Sequence, residues 1–153
     1  MSLKNIEISI GLIKLKSSFV CLKRVEQPYK NFIEFPGGKK KNNETALHCL
    51  KREIKEELNI NIDKSKFIGS IKHLYGDLLI TINIFNVYRY SGEISSNESR
   101  EIVFFDTSSS LKTLPTHDRI LSLLKLPKLL KIITPQNLDS SSSFKNINLY
   151  KYV

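Results

Sequence analysis

The beginning of the chain alternates between apolar and polar residues, a pattern typical of half-buried β-strands. Residues 6–16 and 19–25 both alternate, and the polar residues 16–18 lie between them, so we expect a β-hairpin. A short apolar segment, residues 32–35, follows a polar loop and leads into a Pro-Gly-Gly sequence. It predicts a third, shorter strand.

The period of the apolar residues becomes helical over residues 45–58. Either Asn43 or Thr45 is suited to cap the start of this helix, and Asn59 is suited to the left-handed position at its end. We expect one stripe of the helix to face the core, formed by Leu47, Leu50, Ile54 and Leu58.

Strand patterns return in the second half of the chain. Residues 67–75 and 78–90 are rich in β-branched and aromatic residues, with a Gly-Asp turn between them, and residues 101–105 form another candidate strand. Residues 116–126 have the period of a second amphipathic helix. The order of strands, helix, strands and helix predicts an α+β fold with a mixed β-sheet sandwiched between helices.

Charge and cysteine content narrow the class of protein. The net charge of +9 comes mostly from lysines that are scattered along the chain, which favours a general basicity over a nucleic-acid surface. We therefore expect no stable complex with nucleic acid, although the charge would attract polyphosphates. Cys21 and Cys49 have no paired spacing, so we expect no disulfide framework. This cysteine content is consistent with a protein of the reducing cytoplasm. No apolar run is long enough to span a membrane.

Three glutamates of the first predicted helix share one narrow face. At about 100° per residue, Glu57 lies about +40° and Glu56 about −60° from Glu53, beside the apolar stripe. Like charges at these spacings repel by about 0.2–0.5 kcal/mol per pair. Their grouping indicates either a solvated acidic surface or a bound cation. Oxygen ligands alone would select a hard ion, Mg²⁺ or Mn²⁺.

The segment 38–60 resembles the Nudix box, G-x5-E-x7-R-E-U-x-E-E-x-G-U, where U is a bulky aliphatic residue. One position departs from the pattern: Asn59 stands where the family has glycine, and Asn is the next-best residue for a left-handed helix end. The matching residues are Gly38, Glu44, Arg52, Glu53, Ile54, Glu56, Glu57 and Ile60. The presence of the other motif residues in register favours the cation over the solvated surface.

The resemblance implies a Nudix fold and a divalent-cation site. Glu53, Glu56 and Glu57 would be the side-chain ligands, and Gly37 or Gly38 would add a backbone carbonyl oxygen. The cofactor would be Mg²⁺, for which Mn²⁺ can substitute. The ion would neutralise a polyphosphate and activate water.

Catalytic roles also follow from the resemblance. Arg52 would orient Glu53 through a salt bridge, and Glu44 would steady the junction between loop and helix. Glu53 or a loop carboxylate would be the general base. The candidate in the loop is Glu98, either as a base or as an additional metal ligand.

The residues before the box, Glu34 to Lys39, read E-F-P-G-G-K and resemble the same segment of MutT-like enzymes, the Nudix branch that hydrolyses 8-oxo-dGTP. Lys39 is well placed to meet a phosphate. Lys23 and Phe35 are further candidate substrate-binding residues.

His117 is the candidate residue for reading the base. It lies in a Pro-Thr-His-Asp segment, at the place where MutT-like proteins have a Pro-x-Asn segment that reads the purine edge. Histidine lacks the paired donor and acceptor of an amide. We therefore expect His117 in the nucleobase pocket, with weaker discrimination between bases than asparagine provides.

Residues 1–127 are expected to form one Nudix domain, with a tail at 128–153 that has no periodic pattern. Residues 130–135 resemble the opening strand of the thiamine-phosphate-synthase-like domain that follows some MutT-like proteins. The tail is either a remnant of such a fused domain or unrelated to it.

The sequence predicts an Mg²⁺-dependent nucleoside triphosphate pyrophosphohydrolase, which converts an NTP and water to an NMP and pyrophosphate and sanitises nucleotides such as 8-oxo-dGTP. Two alternatives stay open. One is activity on a CTP-type nucleotide, ADP-ribose or a dinucleoside polyphosphate, and the other is a catalytically silent nucleotide-binding domain. The partner is the nucleotide, and both a monomer and a homodimer are compatible with the sequence.

Because the helix offers only carboxylates as side-chain ligands, hydrolysis should require Mg²⁺ or Mn²⁺. Pyrophosphate release from a nucleoside triphosphate should stop when EDTA is added and return when Mg²⁺ is restored in excess. Undiminished release in the chelator would contradict the metal site.

Overall fold

A computed structural model describes residues 4–75 and 77–125 of the chain. It has seven strands and two helices in this range: β1 Lys4–Leu15, β2 Ser18–Lys23, β3 Ile33–Glu34, β4 Gly37–Lys39, α1 Ala46–Leu58, β5 Asn61–Tyr75, β6 Leu78–Ser91, β7 Ile102–Phe105 and α2 His117–Lys125. The predicted hairpin is present as β1 and β2, which pair antiparallel.

The sheet is mixed because β1 has partners of both directions. It runs parallel to β6, with Ile8 opposite Ile82, and antiparallel to β4, with Ser9 opposite Gly38. Beyond β6 lies β5, antiparallel to it. On the other side, β2 pairs with β3 and β7. The strand β1 is therefore the centre of the sheet, and it carries the glycine segment of β4 on its edge.

Side chains of β1 alternate between two hydrophobic cores, one on each face of the sheet. Ile8, Ile10 and Leu12 belong to the core that contains Ile120 of α2. Ile13 belongs to the other core, which contains the apolar stripe of α1. The two helices thus cover opposite faces of the sheet, and the predicted α+β fold with a sheet between helices is confirmed.

The ends of α1 are set by local hydrogen bonds that the sequence indicates. The side chain of Thr45 accepts a hydrogen bond from the backbone N–H of His48 at 3.1 Å, so Thr45, not Asn43, is the N-cap. Asn59 has φ 58° and its N–H donates to the carbonyl oxygen of Lys55. Asparagine thus performs the helix-ending role that the box motif gives to glycine.

Two expectations need correction. Leu47 was placed on the core stripe of α1 but is 38% exposed, because Ala46 is the residue of the first turn that packs against the core. The strand predicted at 67–75 begins earlier, at Asn61. Lys64 and Lys66 interrupt the pattern of apolar residues in its first half, so the sequence does not indicate a strand there. This longer β5 pairs with β6 through several register irregularities.

Within residues 4–75 and 77–125, no helix is long and apolar enough to cross a membrane. The tail predicted at 128–153 lies outside the described residues.

Two leucines of α1 offer a matched test of the core. Leu50 is fully buried between α1 and the sheet, whereas Leu47 is not. Leu50→Ala should lower the free energy of unfolding by about 3 kcal/mol, and Leu47→Ala by less than about 1 kcal/mol. Both variants make the same change in helix propensity, so urea denaturation of the pair isolates packing. Equal losses would mean that α1 is rotated from the orientation described.

Candidate active site

Two adjacent glycines bring the backbone of β4 against β1 and α1. Gly37 has φ +144°, and a β-carbon added there would lie 2.1 Å from the carbonyl oxygen of Ser9. A β-carbon on Gly38 would lie 2.4 Å from the carboxyl carbon of Glu53. A side chain at position 37 would clash with the backbone of β1, and one at position 38 would displace the Glu53 carboxylate, so the two glycines set how closely the helix carboxylates approach this loop.

Arg52 forms hydrogen bonds with several of the acidic residues of the site. Its guanidinium group donates to both carboxylate oxygens of Glu44, at 2.7 and 3.0 Å, and to Oε1 of Glu53 at 2.6 Å. It also contacts Glu56 at 3.1 Å and the carbonyl oxygen of Lys39 at 3.1 Å. Hydrogen bonds from Arg52, and then from the Lys41 amide, lower the pKa of Glu44 to about 2. The predicted Arg52–Glu53 ion pair and the anchoring of Glu44 are both present in the structure.

Glu57 is the most deeply buried of the three box carboxylates, with a side chain only 6% exposed. Its Oε2 accepts from the Gly37 amide at 2.8 Å, and its Oε1 accepts from Nη1 of Arg100 at 2.6 Å. Burial raises the pKa of Glu57 to about 8, although Arg100 and the Gly37 amide act in the opposite direction. A cation beside this carboxylate would favour its ionised form.

Arg100 extends this contact to a buried network that the sequence did not reveal. Its Nη2 contacts Oε1 of Glu34, and Oε2 of Glu34 accepts from Nη1 of Arg24 at 2.9 Å. These ion pairs connect four side chains that are all largely buried: Glu57, Arg100, Glu34 and Arg24. No local pattern marks Arg100, because it lies in a polar loop and its partners come from other elements of the fold.

A cavity of about 140 Å³ opens beside this network. It is smaller than the roughly 300–1,000 Å³ of typical ligand pockets, so it would accommodate only part of a nucleotide. Lys39 and Phe35, both predicted as substrate-binding residues, contribute to it. The lining residues are Ile8, Ile10, Arg24, Glu26, Glu34, Phe35, Gly37, Gly38 and Lys39.

Two other predicted residues lie away from this cavity. Lys23 forms an exposed salt bridge with Glu101 at 2.8 Å. It is the neighbouring Arg24 that lines the cavity, because successive side chains of an extended chain point to opposite sides. Glu98 is exposed in the loop after β6 and is not among the cavity-lining residues.

His117 is placed behind the cavity instead of in it. Its imidazole is 1% exposed and stacks on the Phe35 ring, with centroids 4.0 Å apart and planes at 9°. The ring of Phe105 meets it edge-on at 4.7 Å. The aromatic surroundings explain this position, since the ring of His117 fills an apolar layer at the start of α2. Phe35 lines the cavity, and His117 touches it only through Phe35.

The donor chemistry of the box fits a hard divalent cation. Glu53, Glu56 and Glu57 offer only oxygen atoms, and Gly38 leaves room for the Glu53 carboxylate against the loop backbone. Guanidinium groups of Arg52 and Arg100 contact these carboxylates. Among the residues that the structure describes, no three His, Cys, Asp or Glu side chains stand in a ready-made metal-binding group. Binding of one cation by all three carboxylates would therefore require at least one of them to change its orientation.

The sequence profile of the NUDIX domain family matches residues 7–128, which is most of the chain. The chain belongs to the Nudix family. It is 30% identical over 100 residues to an 8-oxo-dGTP diphosphatase of Proteus vulgaris, covering 64% of this chain and 89% of that protein. It is 36% identical over 97 residues to a Buchnera aphidicola 8-oxo-dGTP diphosphatase, covering 63% and 73%.

Structural comparison gives the same fold. The solution structure of the Escherichia coli ORF135 protein superposes with a TM-score of 0.71 at 21% identity, over 87% of this chain and 95% of that one. More distant Nudix relatives in sequence include proteins named CTP pyrophosphohydrolase, at 23% identity, and ADP-ribose pyrophosphatase, at 27%. This chain is therefore a Nudix hydrolase with relatives that differ in their named substrates.

The burial of His117 in this Nudix domain has a consequence for stability in acid. Burial lowers its pKa from 6.5 to about 4, with Asp118 opposing the shift. The neutral ring contributes stability fully above pH 6.5, and that stability is lost as the pH falls toward 4, up to about 3 kcal/mol. His117→Phe keeps the ring stacking without the titration, so its free energy of unfolding should fall less than that of the wild type between these pH values. An equal pH dependence of the two unfolding free energies, measured by urea denaturation, would show that folding does not lower the pKa of His117.

Proposed function

We propose that this Nudix hydrolase is a magnesium-dependent nucleoside triphosphate pyrophosphohydrolase of the MutT type, which releases pyrophosphate from oxidised nucleotides such as 8-oxo-dGTP. The proposal rests on one observation: the box carboxylates contact two glycines that line the cavity. Glu57 is hydrogen-bonded to Gly37, Glu53 lies against Gly38, and both glycines line the cavity. The names of the two 8-oxo-dGTP diphosphatase relatives support the substrate class.

In this proposal Glu53, Glu56 and Glu57 hold the cation, together with the carbonyl oxygen of Gly37 or Gly38. A bound Mg²⁺ supplies charge neutralisation for the polyphosphate and makes water a better nucleophile. Glu53 accepts the proton of the water that attacks the phosphoanhydride. Its Oε1 is held by Arg52, and within the described residues its Oε2 has no hydrogen-bond partner. Glu98 is a second proposed base or ligand, and reaching the site would require its loop to close.

The cavity then receives one end of the nucleotide. Lys39 lies at its rim with an exposed side chain, where its ammonium group would meet phosphate oxygens. Phe35 lines the cavity but is almost fully buried, with His117 stacked on its ring. Because His117 does not face the cavity, it offers the base no hydrogen bond there, so we expect modest discrimination among bases. Such an enzyme would act in the cytoplasm on the nucleotide pool and so protect DNA.

A CTP-type or ADP-ribose substrate is the second candidate, because relatives of these names also match the chain. The phosphate chemistry would be unchanged, since all these substrates contain a phosphoanhydride bond. Only the contacts at the base end would differ.

A substrate panel with two box variants tests the proposal. Pyrophosphate release is measured for 8-oxo-dGTP, dGTP and CTP with Mg²⁺, and formation of AMP and ribose 5-phosphate is measured for ADP-ribose. We expect the highest kcat/KM with 8-oxo-dGTP, and a fall in kcat by several orders of magnitude in Glu53→Gln and Glu57→Gln, which keep the side-chain shape but lose the charge. Arg89→Gln is the control, because Arg89 is exposed and, among the described residues, pairs with Asp63 away from the cavity. Wild-type activity in both glutamate variants would place catalysis elsewhere, and a preference for CTP or ADP-ribose would select the second candidate.

A further inference from the structure

Among the residues that the structure describes, Arg100 joins the box helix to the cavity through buried ion pairs. Its Nη1 contacts Glu57 of α1 at 2.6 Å, and its Nη2 contacts Glu34 of β3 and the carbonyl oxygen of Lys23. Its side chain is 12% exposed. Its own amide donates to the Ser96 hydroxyl at 3.0 Å, which ties the loop before β7 in place.

Glu34 keeps a second cation if Arg100 is removed, but Glu57 does not. Arg24 holds Glu34 at 2.9 Å. Among the described residues, the Gly37 amide is the other hydrogen-bond donor to Glu57. A buried carboxylate that loses its cation turns away, because an unpaired buried charge is costly. The orientation of Glu57 therefore depends on Arg100 more than the orientation of Glu34 does.

The two contacts also fix the direction of the Glu57 carboxylate. Arg100 takes Oε1 and the Gly37 amide takes Oε2, so the plane of the group is defined from both sides. Each carboxylate oxygen still has a second acceptor site, which leaves Glu57 able to bind a further cation. Arg52 contacts Glu53 as well, but at Oε1 alone. Each of the two guanidinium groups thus holds one carboxylate of α1.

We propose that Arg100 is a positioning residue, which orients Glu57 so that this carboxylate can bind a divalent cation and links it to Glu34 at the cavity. This inference rests on the proposed divalent-cation chemistry. Residues that orient metal ligands typically change metal affinity about 10- to 100-fold when they are replaced.

The test is Mn²⁺ binding, measured by electron paramagnetic resonance on the full chain without substrate. Arg100→Gln should weaken Mn²⁺ binding about 10- to 100-fold. Arg89→Gln, which makes the same change in net charge at an exposed site, should bind as the wild type does. Arg100→Lys retains the cation without the two-pronged geometry, so its affinity should lie between those of the wild type and Arg100→Gln. Thermal unfolding without metal checks that each variant is folded.

A double-mutant cycle separates positioning from a general effect on the fold. If Arg100 acts through Glu57, adding Arg100→Gln to Glu57→Gln should weaken Mn²⁺ binding by less than about threefold. The double variant removes both buried charges, so it should melt at a higher temperature than Arg100→Gln alone. If Arg100→Gln alone does not fold, Mn²⁺ binding can still be measured on the double variant. Arg100→Lys then replaces Arg100→Gln as the single variant of the cycle.

The outcomes distinguish this inference from the proposed function. If the wild type does not bind Mn²⁺, the divalent-cation chemistry itself is wrong. If the wild type binds Mn²⁺ but Arg100→Gln binds it within twofold as well, the role of Arg100 is refuted and the proposed function stands. Losses from Arg100→Gln that are equal with and without Glu57 would also refute it, because Arg100 would then act through another group.

Discussion

Repulsion among the carboxylates of α1 is the constraint on which the rest of the site depends. Glu53, Glu56 and Glu57 lie on one face of a single helix. The repulsion between their charges would destabilise α1 as an isolated helix. Two guanidinium groups offset this repulsion in the fold. Arg52 comes from the same helix and Arg100 from a distant loop, so one compensation is local and the other exists only after the chain has folded.

Hydrophobic burial fixes where these charges lie. The apolar stripe of α1 packs on one face of the sheet, and this packing orients the acidic face toward the glycine segment of β4. The other face of the sheet packs against α2 and supports Phe35 through His117. The carboxylates and the cavity are therefore held by two separate cores that share β1. A change in either core would move one part of the site relative to the other.

The elements that could be predicted from the sequence are those with local causes. The hairpin, the capped helix and its acidic face follow from periodicity and from single residues such as Thr45 and Asn59. Local patterns also misplace Leu47 and the start of β5, and they leave contacts between distant parts of the chain unpredicted. The sequence places Lys23 and Arg24 side by side, and only the path of β2 shows which of them reaches the cavity. The burial of His117 depends on aromatic rings from β7 and from the segment after β3, and Arg100 gains its partners from α1 and β3.

The parallel pairing of β1 with β6 has a consequence for how the chain folds. Ile8 lies opposite Ile82, so the central strand pairs with a segment that is far along the chain. Closing such a long loop costs conformational entropy before the contact can stabilise the fold. Folding is therefore slower than in a protein of mainly local contacts. During synthesis, β1 leaves the ribosome well before β6, and its isoleucine-rich edge stays open for that time. An open apolar strand edge invites pairing with other chains, so the nascent chain has a period of exposure to aggregation that ends only when β6 arrives.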